Sequence, residues 1–297
     1  MRHLIFGGLI AALGAAPVPA QEVPGRDLLL FPIGTLAEPQ ALATSAGLSF
    51  WNPAAAALDD SSRARGTAAA LTTPADQGVS LLLVDVSARL PAGLTASVSA
   101  VHGSVTDLLR TTDSPAGGVE IPYDTWVLSA GVARRQEHLT VGLAARHRMG
   151  RLDAERRGAL GLDAGVVADG LLGVDARVAA SSFLWRPASS SDERTTYSLA
   201  ADARVWGPDT HHQIRAGYSF GHTESLAREH YLFGSGRWDG VEVRVGVAAR
   251  DAFGAETHRL RLAVGLHRAR YLVGVAREQG GAGLDPIYQF TLSTTLP

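Results

Sequence analysis

One short arrangement of residues has the spacing of a serine nucleophile. Residues 217–221 read Gly-Tyr-Ser-Phe-Gly, and His222 follows directly. Such a pattern activates a serine where a strand turns sharply into a helix and exposes the hydroxyl group. Here Tyr218 and Phe220 alternate with Ser219 inside a predicted strand, which is the wrong context for that turn. We therefore predict that Ser219 is structural and that the protein is not an enzyme.

Metal and cofactor chemistry has little support in the residue types. The sequence has no cysteine, which excludes thiol nucleophiles and cysteine-bound metals. His211 and His212 are adjacent in a predicted turn, and adjacent residues of a strand point to opposite faces, so the pair is poorly placed to chelate one ion. We predict no metal site and no cofactor.

Charged residues recur on one face of the predicted strands and are the main candidates for a functional site. All 27 basic residues are arginine, and the formal net charge of −2 argues against a nucleic-acid-binding protein. Two interpretations are open: a positive patch that attracts a carboxylate headgroup, or a ladder of internal salt bridges. We favour the ladder. The predicted interior charges are Arg146, Arg148, Asp163, Asp175, Arg177, Asp202, Arg204, Glu242, Arg244, Arg259 and Arg261.

The alternation of apolar and polar residues predicts the β-strands that position these charges. Leu139, Val141 and Leu143 fall on one face of a strand, whereas Arg146 and Arg148 fall on the other. Similar segments recur from residue 63 to the end of the sequence, separated by turn residues. Strands that are apolar on one face and polar on the other are what a closed barrel in lipid requires. The sequence therefore predicts an all-β fold, a transmembrane antiparallel β-barrel of about 14 strands with a polar lumen.

A water-soluble β-sandwich is the main structural alternative, because its strands also alternate and it can be exported. Three observations favour the barrel. The predicted strands are closely spaced, their polar faces repeatedly combine arginine with aspartate or glutamate, and about 230 residues of strands exceed one sandwich.

The first residues resemble a secretory leader. Arg2 and His3 precede an apolar stretch, and Val18 and Ala20 occupy the −3 and −1 positions of a cleavage site before Gln21. The apolar stretch is too short to span a bilayer as a helix. We predict a signal peptide in residues 1–20, and export to the bacterial outer membrane.

Residues 21–62 do not resemble the barrel, which we predict to occupy residues 63–297. The segment is rich in proline and small residues, and it contains Asn52, the only asparagine of the chain. Asn52 precedes Pro53 and Ala54, so its side chain could cap the alanine-rich turn that follows. On physical grounds alone, capping is the favoured role of Asn52.

The same residues carry a family resemblance. The motif Trp-Asn-Pro-Ala-Ala at residues 51–55 is similar to the Asn-Pro-Ala signature of the long-chain fatty acid transporter (FadL-like) superfamily, and especially to its PorV/PorQ branch. Residues 27–180 resemble that branch well, and the rest resembles it by pattern alone. Further similar segments lie at residues 118–124, 128–133, 139–146 and 161–167.

The resemblance implies a fold and two functions. Members are fourteen-stranded barrels with the N-terminal segment folded into the lumen as a plug or hatch. Asn52, Pro53 and Ala54 would then carry a gating role. In one function, hydrophobic small molecules cross the outer membrane; in the other, the barrel is a non-enzymatic component of type IX-like protein secretion or surface attachment. The implied partners are outer-membrane lipid and either a hydrophobic small molecule or secretion-system proteins. A lipid hydrolase that uses Ser219 is the least favoured alternative.

Two departures from the superfamily pattern bear on these functions. The chain is shorter than most fatty-acid transporters, which implies reduced extracellular loops. It also ends in Leu296 and Pro297, without the terminal aromatic residue that assembly machinery commonly recognises.

Overall fold

The computed structural model describes most of the chain outside the predicted leader, and residues 1–20 lie outside the described residues. The described ranges are 22–43, 48–58, 62–74, 77–106, 108–110, 118–170, 173–185, 193–209, 211–252, 254–279 and 286–296.

Fourteen antiparallel strands close into one barrel, and two short strands, β4 and β5, form a separate hairpin. In chain order the strands are β1 (Ala64–Thr72), β2 (Val79–Leu90), β3 (Leu94–Val105), β4 (Leu109–Arg110), β5 (Val119–Glu120), β6 (Tyr123–Gln136), β7 (Leu139–Leu152), β8 (Glu155–Asp169), β9 (Ala176–Trp185), β10 (Thr196–Trp206), β11 (His212–Thr223), β12 (Ala227–Trp238), β13 (Val241–Ala252), β14 (Ala255–Arg268), β15 (Tyr271–Glu278) and β16 (Ile287–Leu296). The predicted all-β barrel fold is confirmed.

The first strand pairs with the last, so the barrel strands have no open edge. Strand β1 lies between β2 and β16, and its register with β16 runs from Ala64 opposite Leu296 to Thr72 opposite Tyr288. Closure satisfies the backbone N–H and C=O groups that an open sheet would leave unpaired, which is the condition for strands to cross lipid.

The two ends of the barrel differ in the length of their connections. One end, which we call the loop end, has the connections 73–78, 106–122, 153–154, 186–195, 224–226, 253–254 and 279–286. The opposite end, the turn end, has the connections 91–93, 137–138, 170–175, 207–211, 239–240 and 269–270. The three longest connections, 106–122, 186–195 and 279–286, therefore belong to the loop end.

The outward face of the wall is apolar. In β13, Val241, Val243 and Val245 are nearly half exposed, whereas Glu242, between Val241 and Val243, is buried. In β7, exposed and buried residues alternate over almost the whole strand, as the sequence predicts. Such a continuous apolar surface is unusual in contact with water and typical of contact with lipid.

We expect a charge on this outward face to destabilise the membrane-inserted barrel. Val245 lies near the middle of β13 and faces outward. Val245→Arg should lower the free energy of unfolding from lipid bilayers by about 2–4 kcal/mol, because the guanidinium group would lie in hydrocarbon. Urea-induced unfolding in liposomes measures the change, with Val245→Leu as the control. Equal stability of the two variants would contradict a lipid-facing position.

The structure differs from the predicted strands at their ends. Strand β8 begins at Glu155, although the alternation of apolar residues begins near Leu160, because the ladder to β7 continues through Arg156 and Arg157. Apolar and charged residues also alternate from Leu172 to Val178, which predicts a strand there. Strand β9 begins only at Ala176, because Gly170 and Gly173 have positive φ angles in the preceding turn, and Leu172 lies outside the described residues. Backbone pairing rather than side-chain polarity therefore determines where these strands end.

The described helical elements are short and belong mainly to the N-terminal segment, by which we mean the described residues between 22 and 58. One α-helical turn, α1, spans Leu48–Trp51, and 3₁₀ turns span Asp27–Leu30, Gln40–Leu42, Pro53–Ala57 and Pro91–Gly93. Within the described ranges, none of the helices is long and apolar enough to cross a membrane.

Candidate functional site in the barrel lumen

The described parts of the N-terminal segment contact the wall at both ends of the barrel. At the loop end, the Glu22 carbonyl oxygen accepts a hydrogen bond from Arg157 Nη1 at 3.1 Å. At the turn end, the Leu58 carbonyl oxygen accepts one from Arg135 Nη1 at 2.8 Å. Between these points most of the described side chains are buried.

Glycines of the wall make room for this segment. A Cβ atom at Gly165 would collide with the Asn52 side chain, and one at Gly142 would collide with the backbone of Pro53 and Ala54. Both glycines lie in adjacent strands and are opposite each other in register. The Asn52-Pro53-Ala54 motif therefore packs directly against the backbone of two wall strands, which is possible only because Gly142 and Gly165 have no side chain. We call this contact the seat of the motif.

Asn52 is fully buried and its amide connects two parts of the N-terminal segment. Its Oδ1 accepts a hydrogen bond from the Ala54 N–H at 3.0 Å, and its Nδ2 donates to the Ala41 carbonyl oxygen at 2.7 Å. The first bond is the helix-capping contact that the sequence predicts. The second is not visible in the sequence, because a tertiary contact brings Ala41 to this position.

We expect loss of the Asn52 amide to loosen the N-terminal segment without opening the barrel. Asn52→Ala removes both bonds and should destabilise the turn at residues 53–57 by about 1–2 kcal/mol. Hydrogen exchange should then become faster at Ala54 and Ala55, while exchange in the barrel strands stays the same. The control is Gln40→Ala, which removes a hydrogen bond of 3.3 Å from the Ser198 hydroxyl group and leaves the Asn52 amide in place. Unchanged exchange at Ala54 would contradict the capping role.

Arg146 and Asp163 form a fully buried ion pair beside this seat. Asp163 also accepts a hydrogen bond from the Leu184 N–H at 2.7 Å, and Arg146 donates to the Phe50 carbonyl oxygen. The guanidinium carbon of Arg146 lies 4.4 Å from the centre of the Phe183 ring. This pair therefore joins two strands of the wall to the N-terminal segment.

Arg148 holds the beginning of the segment at the loop end. Its Nη2 atom lies 2.7 Å from Glu193 Oε2 and donates to the Val23 carbonyl oxygen, also at 2.7 Å. Arg26 lies on the other side of Glu193, at 3.4 Å. Burial lowers the pKa of Arg26 to about 10, against the opposing effect of the Glu193 carboxylate, so Arg26 remains charged at neutral pH.

Asp202 is the centre of a second group of ion pairs. It pairs with Arg177, which lies directly opposite it in β9, and with Arg215 at 2.9 Å. Arg215 also pairs with Asp175 at 2.7 Å, and Asp175 pairs with Arg204 at 3.0 Å. Asp202 is buried, whereas Asp175 is partly exposed.

Glu242 and Arg244 connect the wall to the N-terminal segment on another side of the lumen. Glu242 pairs with Arg244 at 2.8 Å, with Arg237 at 2.9 Å and with His267 at 2.9 Å. Arg244 also pairs with Glu38 of the segment. Like the Arg26–Glu193 pair, this contact is an ionic link between the segment and the barrel.

Arg261 lies between two carboxylates and is almost completely buried. Its guanidinium group lies 2.6 Å from Glu278 and 2.7 Å from Glu229, and Arg259 also pairs with Glu278 at 2.6 Å. The guanidinium carbon is 5.0 Å from the centre of the Tyr231 ring.

All eleven charges predicted from the sequence participate in these ion pairs. Their arrangement is that of a salt-bridge ladder, in which carboxylates neutralise the arginines. Sequence reasoning missed several partners, although each lies on an inward strand face, in the N-terminal segment or, for Glu193, in the connection before β10. The missed partners are Arg26, Glu38, Glu193, Arg215, Glu229, Arg237, His267 and Glu278.

An aromatic cluster lies directly beside the buried arginine. Phe183 packs against Phe50 and Trp51, with ring centres 5.3 Å and 4.8 Å apart. The Trp51 indole donates a hydrogen bond to the Ile33 carbonyl oxygen at 2.7 Å. A bulge at Leu184, which has a φ of 57°, turns both Phe183 and Leu184 into the interior.

The two largest of the cavities found beside the N-terminal segment are not lined by Asn52. A cavity of about 980 Å³ opens at the loop end between Asp27, Tyr123 and Arg228. A cavity of about 260 Å³ lies deeper, between Pro39, Arg215 and Arg244. The interior near Asn52 is instead filled by packed side chains.

The residues considered above for catalysis or metal binding, Ser219, His211 and His212, lie within a strand and a polar turn. Ser219 is in the middle of β11, so it has no strand-to-helix turn. The backbone N–H groups of His211 and His212 both donate to Asp209 Oδ1 at 2.8 Å, as in a polar turn. Among the described residues, no group of three histidine, aspartate or glutamate side chains could hold a metal ion.

Comparison with known proteins gives similarity at the level of the fold. No family model matches the sequence, and no curated protein matches it. The CymD monoaromatic hydrocarbon channel has a TM-score of 0.59 and 11% identity, over 90% of this chain and 98% of that chain. OprB of Pseudomonas putida, in its low-pH structure, has a TM-score of 0.45 and 9% identity, over 78% and 91%. A triple mutant of the Rhodopseudomonas blastica porin has a TM-score of 0.42 and 11% identity, over 78% and 98%. The similarity to CymD shows a shared barrel fold.

Proposed function

We propose that this protein is an outer-membrane barrel of the PorV/FadL-like kind that passes hydrophobic small molecules across the bacterial outer membrane. In this proposal residues 1–20 direct export, residues 21–62 are a hatch inside the barrel, and residues 63–297 form the wall. The longer connections of single-chain barrels face the cell exterior, so the loop end would face outward.

The observation that carries the proposal is the seat of Asn52, Pro53 and Ala54 on the glycines of the wall, with the aromatic cluster beside it. A hatch that moves from this seat would uncover Phe183 and the apolar residues around it. An apolar surface inside a barrel favours hydrophobic molecules over ions. The fold that the chain shares with CymD, described as a monoaromatic hydrocarbon channel, is consistent with such a substrate.

A second function is supported by the hairpin of β4 and β5. Leu109 and Val119 are more than half exposed on this hairpin, which extends from the loop end. Exposed apolar residues in a loop are typical of protein contact surfaces. The alternative is therefore a non-enzymatic role in type IX-like protein secretion or surface attachment, with the lumen remaining closed.

A disulfide lock tests whether the hatch must move. Ser49 in the segment and Asp85 in β2 are joined by a side-chain hydrogen bond. Because the chain has no cysteine, Ser49→Cys combined with Asp85→Cys introduces one bridge that can be reduced again. Cells that carry the protein are given radiolabelled ethylbenzene, and uptake is compared before and after reduction.

We expect slow uptake in the oxidised double variant and recovery after reduction. Each single cysteine variant is the control and should show the same uptake in both conditions. Equal uptake by the locked and reduced double variant would contradict a moving hatch. If the wild-type protein gives no uptake above cells without the barrel, transport is rejected and the secretion role is favoured.

A further inference from the structure

A groove on the outward face of the barrel lies near the loop end. It has a volume of about 600 Å³ and crosses the strands β3, β6, β7 and β8. Gly158 lines the groove on β8 and has no side chain to fill it. The side chains that line it are His102, Asp124, Trp126, His147, Met149, Arg151, Arg156 and Arg157.

Two arginines lie at the side of this groove that is nearest the loop end. Arg151 and Arg156 are directly opposite each other in the register of β7 and β8, so their side chains leave the same face of the sheet. Like charges in this position repel each other. Among the described residues neither arginine forms an ion pair with a carboxylate, and Arg151 donates instead to the Asp153 carbonyl oxygen at 3.0 Å.

The lumen provides a direct comparison. There, Arg146 and Arg261 each pair with a carboxylate. The groove has one lining carboxylate, Asp124, which is opposite Arg151 in the register of β6 and β7. Within the part of the chain that the structure describes, it forms an ion pair with neither arginine, so the two outward arginines outnumber the one carboxylate. An anion bound between Arg151 and Arg156 would relieve their repulsion through charge-assisted hydrogen bonds.

From the arginines toward the turn end, the groove and the wall beyond it change from charged to aromatic to apolar residues, in the order of the parts of a membrane lipid. On the turn-end side of the arginines, the His102 ring is stacked on Trp126 with ring centres 4.2 Å apart. Tryptophan in this position is typical of the interface between headgroups and hydrocarbon. Further toward the turn end, Leu128 and Leu160 face outward and are exposed, as is expected for contact with acyl chains.

We propose that this groove is a binding site for a phosphorylated lipid headgroup of the outer leaflet. The phosphate lies between Arg151 and Arg156, the headgroup packs against Trp126, and the acyl chains follow the apolar wall. The site is separate from the lumen, and it rests on the proposed outer-membrane location but not on transport.

The test is lipid binding by the full-length mature protein in detergent, followed by native mass spectrometry. The probe is bisphosphorylated lipid A. Arg151→Gln combined with Arg156→Gln should weaken its binding about tenfold or more, because both charge-assisted bonds are lost. The matched control is Arg134→Gln, since Arg134 is also outward and exposed but lies near the turn end, and it should bind as the wild type does.

A second variant tests the shape of the groove without changing its charge. A Cβ atom at Gly158 would lie 3.2 Å from His147 Nε2, so Gly158→Val fills the groove while both arginines remain. We expect a similar loss of lipid A binding. Dephosphorylated lipid A and phosphatidylethanolamine should bind weakly to the wild type.

Any one of three results would overturn the groove as a lipid site. They are wild-type affinity in the double arginine variant, equal binding of dephosphorylated lipid A, and displacement of the lipid by an equal concentration of inorganic phosphate.

Gel mobility with and without boiling distinguishes failure of the groove proposal from failure of the proposed outer-membrane location. A heat-modifiable protein that does not bind lipid A loses only the groove proposal. A protein that is soluble without detergent and not heat-modifiable loses the membrane location as well.

Discussion

Replacing Asp163 with alanine should destabilise the protein by about 3–5 kcal/mol, the largest effect that we expect from one lumen charge. The change leaves the buried Arg146 guanidinium without its carboxylate and removes the acceptor of the Leu184 N–H. An unpaired buried charge is much more costly than the pair is stabilising, because water cannot replace the lost partner. Urea-induced unfolding of the liposome-inserted protein, followed by tryptophan fluorescence, measures the loss.

Asp175→Ala is the control for this prediction. Asp175 also pairs with arginines, but its side chain is 41% exposed, and Arg215 keeps Asp202 as a second partner. We expect a loss of at most about 1 kcal/mol, as for ion pairs that water can reach. If the two variants lose the same stability, burial is not the reason for the importance of Asp163.

The second large effect is expected from adding one methyl group to the wall. Gly165→Ala places a Cβ atom where the Asn52 side chain lies, so the N-terminal segment and the wall can no longer occupy their present positions together. Because the barrel strands are held by a closed ladder of hydrogen bonds, the segment should move rather than the wall. We expect faster proteolysis within residues 22–58 and a higher conductance in planar bilayers.

Gly274→Ala is the matched control, since Gly274 lies on an inward-facing position of β15. A Cβ atom there would be 3.7 Å from its nearest neighbours, which is an ordinary contact. This variant should keep the protease resistance and conductance of the wild type. Unchanged proteolysis in Gly165→Ala would mean that the segment is not held at Asn52.

The combination of a buried ion-pair ladder and a separate apolar cluster bears on how a hatch could work. Glu38 pairs with Arg244, and the Val23 carbonyl oxygen accepts a hydrogen bond from Arg148, so polar contacts hold the segment to the wall at two places. A hatch that moves, as we propose above, would have to break these buried contacts, whereas the hydrogen-bond ladder of the strands would stay closed.

The sequence by itself determined the barrel and the direction of most side chains. Alternation is a local property with a period of two residues, so Val243 and Glu242 can be assigned to opposite faces without knowledge of their neighbours. The same is true of the Asn52 cap, because its partner Ala54 is only two residues away. The ends of strands such as β8 were less predictable, since backbone pairing extends them beyond the alternating pattern.

Only the tertiary structure decided which residues meet. Arg146 pairs with Asp163 because the register of β7 and β8 makes them diagonal neighbours, and the path of the N-terminal segment brings Arg26 to Glu193. Neither relation has a sequence signal, because register and closure depend on the whole sheet. The same applies to the seat at Gly165, where a glycine is required by a chain segment more than a hundred residues away.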